Sequence, residues 1–153
     1  MSIVKKKICF VIYNRSNYGR LKPILLLANK NKNIDLQIIV SSSGVLSRYG
    51  NLDKIIIKDG LKINYSFFSH IEGENDLSMT KSTWLIIIEL SSILKKLNPD
   101  ILVTIGDRYE TLATAICGSY MNIFLAHIQG GELRFCRWED KACYNKISKL
   151  APG

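Results

Sequence analysis

The sequence predicts an α/β fold: a three-layer αβα, Rossmann-like sandwich around a parallel sheet of about five strands, of the kind that forms the N-terminal half of a glycosyltransferase-B fold. Two observations carry the layered expectation. Apolar runs of strand length recur at residues 7–12, 34–40, 63–68, 101–105 and 123–128, and stretches with apolar residues three and four apart lie between them. Most of these runs are continuous rather than alternating, which is the signature of strands buried on both faces by covering helices. Alternating strands and helices joined by right-handed crossovers then give the three layers.

The first run, Ile8-Cys9-Phe10-Val11-Ile12, breaks into the polar stretch 13–20, which carries Arg15 and Arg20. Leu21, Ile24, Leu25 and Ala28 follow at helical spacing, so a helix is expected with Pro23 in its first turn. The second run leads to Ser41-Ser42-Ser43-Gly44, small enough for backbone to approach a ligand and equally fit to be plain connection. A short helix around Leu52, Ile55 and Ile56 should stop at Asp59-Gly60, where glycine suits a left-handed cap. The third run ends in the long polar connection 69–76, whose His70, alone of its kind there, reads as a loop hydrogen-bonder. From about Ser78 a helix reaches Leu97 with Ile86, Leu90, Ile93 and Leu97 as its buried stripe and Asn98-Pro99 as its stop, and Trp84 is expected to pack. The helix over 111–120 is rich in small residues, as a helix lying close on a sheet must be. Beyond 132 the periodicity fades.

At 153 residues the chain fits one domain with a real core, and 47% hydrophobic content excludes disorder. The net charge of +8 comes largely from scattered lysines, so a solvated surface explains it better than an anionic partner. No RNA-reading aromatic motif, helix-turn-helix or zinc spacing occurs, so no nucleic acid and no metal are expected. Cys9, Cys117, Cys136 and Cys143 are scattered as reduced thiols are. With neither a signal peptide nor a membrane span expected, the chain reads as cytoplasmic.

Chemistry concentrates at two strand ends. The fourth run stops at Gly106 and delivers Asp107, Arg108 and Glu110 onto a helix-opening turn; the fifth delivers His127, Gln129 and Glu132 across Gly130-Gly131. Turns at the carboxyl ends of neighbouring parallel strands lie side by side, and ligands bind at that edge. Asp107, Arg108, His127 and Glu132 should therefore converge. Arg15 and Arg20 fall near a helix amino end, where free N–H groups, the helix dipole and a guanidinium fork together hold a phosphate; the alternative is a pair of exposed loop charges. Asp107 could equally cap the helix that follows, Glu132 be a solvated turn residue, and Arg108 pair only with Asp107. The first turn lacks Gly-x-Gly-x-x-Gly, so a dinucleotide reading loses its main support.

Gly106-Asp107-Arg108-Tyr109-Glu110, followed by His127-Ile128-Gln129-Gly130-Gly131-Glu132, resembles the hydrolysing UDP-N-acetylglucosamine 2-epimerases, and Asn14-Arg15-Ser16-Asn17-Tyr18-Gly19-Arg20 resembles their first-turn motif. Residues 71–75 and 79–83 also resemble stretches of close members. Arg108 and Gly130-Gly131-Glu132 favour the hydrolysing over the non-hydrolysing branch. The resemblance implies cleavage of UDP-N-acetylglucosamine, with inversion at C2, to N-acetylmannosamine and UDP, a step feeding sialic-acid-like sugars, in a cleft between two Rossmann-like domains and without a cofactor. It implies nucleotide or substrate contacts for Arg15, Gly19, Arg20, Arg108 and His127, and catalytic places for Asp107, Gln129 and Glu132. Gln129 stands where many members have a glutamate. It also implies a first domain over 1–132, a divergent tail over 133–153 and an absent second domain. On that reading the partner is a UDP-sugar, with no nucleic acid or membrane, and with self-association or a separate chain carrying the second domain. The competing reading is a catalytically inactive, UDP-binding remnant.

Overall fold

The computed structural model describes residues 4–41, 51–73 and 75–129. Among the described residues five strands and four helices alternate: β1 (Lys6–Ile12), α1 (Arg15–Lys30), β2 (Ile34–Ser41), α2 (Leu52–Lys58), β3 (Tyr65–Phe67), α3 (Asp76–Leu97), β4 (Ile101–Ile105), α4 (Tyr109–Tyr120) and β5 (Phe124–Ile128). The strands form one parallel sheet in the order β3-β2-β1-β4-β5. The chain builds outward from β1 to one edge, returns through α3, and continues to the other. The order therefore reverses between β1 and β4, and a crevice opens there at the strands' carboxyl ends.

Burial on both faces explains the unbroken apolar runs. Along β1, Cys9 and Val11 enter one core with Ile86, Leu90 and Leu94 of α3 and Ala113 and Cys117 of α4, while Phe10 and Ile12 enter the other with Leu21 and Leu25 of α1 and Ile56 of α2. Side chains alternate between two filled layers, so both alternating sets must be apolar. The small residues of α4 answer to the same packing: a Cβ on Gly118 would stand 3.1 Å from Leu102 Cδ2 and 3.4 Å from Leu125 Cδ1. By length and mean hydropathy α3 could cross a membrane, but Ser82, Ile86, Leu90 and Leu94 bury one side of it in this core.

Three expectations need correction. Helix α1 begins at Arg15, so Pro23 lies inside it rather than in its first turn. Asn14 starts the helix early, its Oδ1 accepting from the Asn17 N–H at 2.8 Å. Proline costs the carbonyl four residues back its partner, but Pro23 and Gly19 are both exposed, so water can serve that carbonyl. The third strand is cut to Tyr65–Phe67, since as an edge strand it pairs only with Ile39, Val40 and Ser41. Trp84 does not pack; it is 61% exposed on the outer side of α3.

Candidate functional site

A cavity of about 440 Å³ opens at the switch point, lined on one side by Tyr13, Asn14, Arg15, Ser16, Asn17 and Arg20 and on the other by residues 105–108, Glu110 and Thr111. Its size suits a small-molecule ligand. The loops leaving β1 and β4 thus meet at one rim, and Arg15 and Arg108 face a common space.

Both helices that border it start there. The first turn of α1 is capped by Asn14. No side chain caps α4, whose N-cap is Arg108, so Asp107 does not serve as its cap. The amino ends of α1 and α4 bring partial positive charge to a space already lined by three guanidinium groups. Gly106 makes the tight exit from β4 possible with φ +92°, and it lies close enough to Asn17 that a Cβ would sit 3.7 Å from its Nδ2.

Arg108 pairs with Glu110, Nε to Oε2 at 3.4 Å, where the sequence offered Asp107 as its partner. Its guanidinium also lies over the Tyr109 ring, 5.7 Å from the centroid. Glu110 is 2% exposed. Burial pushes its carboxyl above the ordinary range, and the Arg108 charge works against that rise. Behind it, Thr114 Oγ1 donates to the Glu110 carbonyl at 3.2 Å and lies 2.5 Å from the Tyr13 hydroxyl. Since the threonine has one proton to give, the tyrosine is the donor of the second bond. Thr111 Oγ1 donates to the Ile105 carbonyl at 3.1 Å and fixes the turn. The floor of the cavity is thus a buried polar array tying β1, β4 and α4 together.

The other expected residues divide. Arg20 lines the cavity, and its Nη1 donates to Gln129 Oε1 at 2.6 Å, drawing the end of β5 to α1. Gln129 adopts φ +63° just after the strand. His127 is half-buried beside Asp107 but does not line the cavity; burial lowers its pKa, with the Asp107 charge opposing, and neither ring nitrogen is hydrogen-bonded among the described residues. Gly19 lies one turn past Arg15 on the exposed side of α1, where an added Cβ would meet nothing within 4 Å. Glu132 and the tail over 133–153 lie outside the described residues, as do residues 42–44 of the serine-rich loop. His70 Nδ1 is buried without a hydrogen bond among the described residues. Sequence reasoning left Tyr13, Asn14, Asn17 and the burial of Glu110 unassigned.

An all-parallel, doubly wound sheet with an arginine-lined cavity at its switch point defines a Rossmann-like ligand-binding domain of α/β class. Residues 27–141 match the family described as UDP-N-acetylglucosamine 2-epimerase, and the chain belongs to that family. It is 30% identical over 146 residues to the UDP-N-acetylglucosamine 2-epimerase of Neisseria meningitidis serogroup B, covering 95% of this chain and 37% of that protein. It is 31% identical over 147 residues to the hydrolysing GDP/UDP-N,N'-diacetylbacillosamine 2-epimerase of Campylobacter jejuni, covering 96% and 38%. The chain thus spans well under half the length of these relatives. In fold it is similar to the crystal structure of the Neisseria meningitidis enzyme bound to UDP-GlcNAc, with TM-score 0.80 and 22% identity over 95% of this chain and 38% of that one. A Streptomyces glycosyltransferase complexed with thymidine diphosphate shares the fold at TM-score 0.58 and 10% identity, over 95% and 44%.

Proposed function

We propose that a first domain at 1–132 supplies one half of a hydrolysing UDP-N-acetylglucosamine 2-epimerase site, the reaction needing a second domain across the cleft. The observation that carries the reading is the shared cavity of Arg15 and Arg108 at the meeting of two helix amino ends. Such an array suits a diphosphate: guanidinium forks grip its oxygens bidentately, and helix dipoles favour the charge that grows as UDP departs.

In the proposed reaction a carboxylate removes the C2 proton as the C1–oxygen bond to UDP breaks, giving a glycal. Water then adds at C1 and a proton returns to the opposite face of C2, so UDP-N-acetylglucosamine and water become N-acetylmannosamine and UDP. Asp107 lines the cavity beside Arg108 and is the carboxylate we assign to proton transfer. Glu132 is assigned a second proton-transfer role. Gln129 cannot relay a proton, and its hydrogen bond to Arg20 makes it a positioning group. Arg20 and His127 are assigned to substrate contact, and Gly19 to close approach of the nucleotide. A cytoplasmic setting accords with the free, buried thiols of Cys9 and Cys117.

The second reading, a UDP-binding module without turnover, is favoured by Gln129 at the glutamate place. Calorimetric titration with UDP and UMP tests what both readings hold in common. UDP should bind at least about tenfold more tightly, since the second phosphate adds charge-assisted hydrogen bonds; equal affinities would overturn the diphosphate assignment. UDP release from UDP-N-acetylglucosamine when a second domain is supplied, abolished by Asp107→Asn, then separates enzyme from module.

A further inference from the structure

Glu110 is a carboxylate that the proposed reaction does not use, although it lines the cavity together with Arg108. The two form a one-sided pair. The Glu110 side chain is 3% exposed and the Arg108 side chain 56%, so the anion is fixed in the wall and the cation stands on it. Their contact, at 3.4 Å, is longer than the roughly 2.7–2.9 Å of a charge-assisted hydrogen bond. Glu110 Oε2 accepts no hydrogen bond among the described residues. Arg108 is therefore free to turn toward a ligand, whereas Glu110, buried in the first turn of α4, cannot follow it.

On the diphosphate assignment of the cavity, on which this inference rests, Arg108 has two claimants. Phosphate oxygens offer its guanidinium short forked bonds that Glu110 does not. Once Arg108 turns to them, Glu110 faces a like charge in the cavity and has lost its counter-charge. Both changes favour the neutral carboxyl in a dry wall. The other titratable groups facing it are Tyr109 on its own helix, Tyr13 after β1 and His70 after β3; among the described residues it is Arg108 that forms the ion pair.

We propose that Glu110 is a proton-carrying positioning residue: it holds Arg108 at the rim of the empty site and yields it to the diphosphate while taking a proton from solvent. The proton adds to a carboxylate oxygen and returns to solvent when UDP departs, so nothing is consumed. In its neutral form the side chain gains a donor, which turns a repelling neighbour of the phosphate into one that can hydrogen-bond it. Calorimetry of UDP binding to the 153-residue chain, in buffers of different ionisation enthalpy between pH 6 and 8, counts the protons taken up. The terminal phosphate of UDP, with a pKa of about 6, contributes alike in every variant, so the comparison is with Glu110→Gln, whose circular-dichroism spectrum should match the parent's. At its maximum the parent should take up about half a proton more per UDP than E110Q, and its UDP affinity should fall correspondingly faster as pH rises. Carbon-13 NMR of the Glu110 carboxyl reads the same event in the parent, whatever the fate of the variant. Saturating UDP should raise its titration midpoint by about one pH unit or more. Equal uptake in the two chains with an unmoved Glu110 midpoint would overturn the proton role and leave the diphosphate assignment standing. So would an E110Q that binds UDP more weakly by the same factor at every pH, which would make the carboxyl a support of the turn and no more. A parent that does not bind UDP would overturn both.

Discussion

Gly19→Ala separates the stability of α1 from its proposed contact with ligand. Gly19 sits inside a helix with no positive φ, and an added Cβ would meet nothing within 4 Å. Within this chain the glycine is therefore a cost: alanine should stabilise the helix by about 0.5–1 kcal/mol, through backbone entropy lost from the unfolded state. For a domain of this size that corresponds to a rise in Tm of about 1–4 °C. If the nucleotide passes along α1 on the side of Arg15, the same methyl group occupies its path, and UDP affinity should fall by about tenfold or more. Differential scanning fluorimetry and UDP calorimetry on the one variant read both effects. A variant that melts higher and binds UDP as the parent does would refute the placement of the nucleotide beside Gly19, while one that melts lower would refute the packing argument.

Glu110 gives a pH signature. Its folded carboxyl is raised above the ordinary 4.5, so the folded state resists ionisation more than the unfolded state does. The linked stability is fully present below the unfolded value and is lost as pH rises through the folded one. Glu110→Gln should flatten that fall in urea midpoints measured from pH 4 to 8; an unchanged slope would refute it. Burial raises the Cys9 thiol to about 12 and the Cys117 thiol to about 11. Mass spectrometry after iodoacetamide at pH 8 should find both unmodified in the folded chain and alkylated in urea. Leu90→Ala empties a fully buried position between α3 and the sheet and should cost about 2–5 kcal/mol by urea denaturation.

The strands were readable because a parallel sheet imposes a strong pattern: Ile8 to Ile12 and Ile101 to Ile105 have no polar gap long enough to mean anything else. The stop of α2 at Asp59 and Gly60, with φ +79°, was legible for the same kind of reason, since glycine adopts the required backbone at least cost. The start of α1 was not. Pro23 is a loud local signal, and it outweighed Asn14, whose capping bond depends on where the strand ends. Trp84 failed because helical spacing says which residues share a side, not which side faces the core. At the rim, Arg15, Arg20, Asp107 and Arg108 could be named from their positions in motifs. The burial of Glu110 could not, because a glutamate in the first turn of a helix ordinarily complements the dipole in solvent. The Glu110 carbonyl accepts from Thr114, which meets the Tyr13 hydroxyl in turn, and Tyr13 and Thr114 are 101 positions apart.

The spacing between the two rim arginines is set far from the rim. Arg15 leaves β1 and Arg108 leaves β4, and these strands are aligned through Ile8 with Ile101, Cys9 with Leu102 and Phe10 with Val103. That ladder acts as a ruler laid in the dry interior. A bulky replacement of Cys9 or Leu102, both buried, would be felt at the mouth of the cavity by way of the backbone.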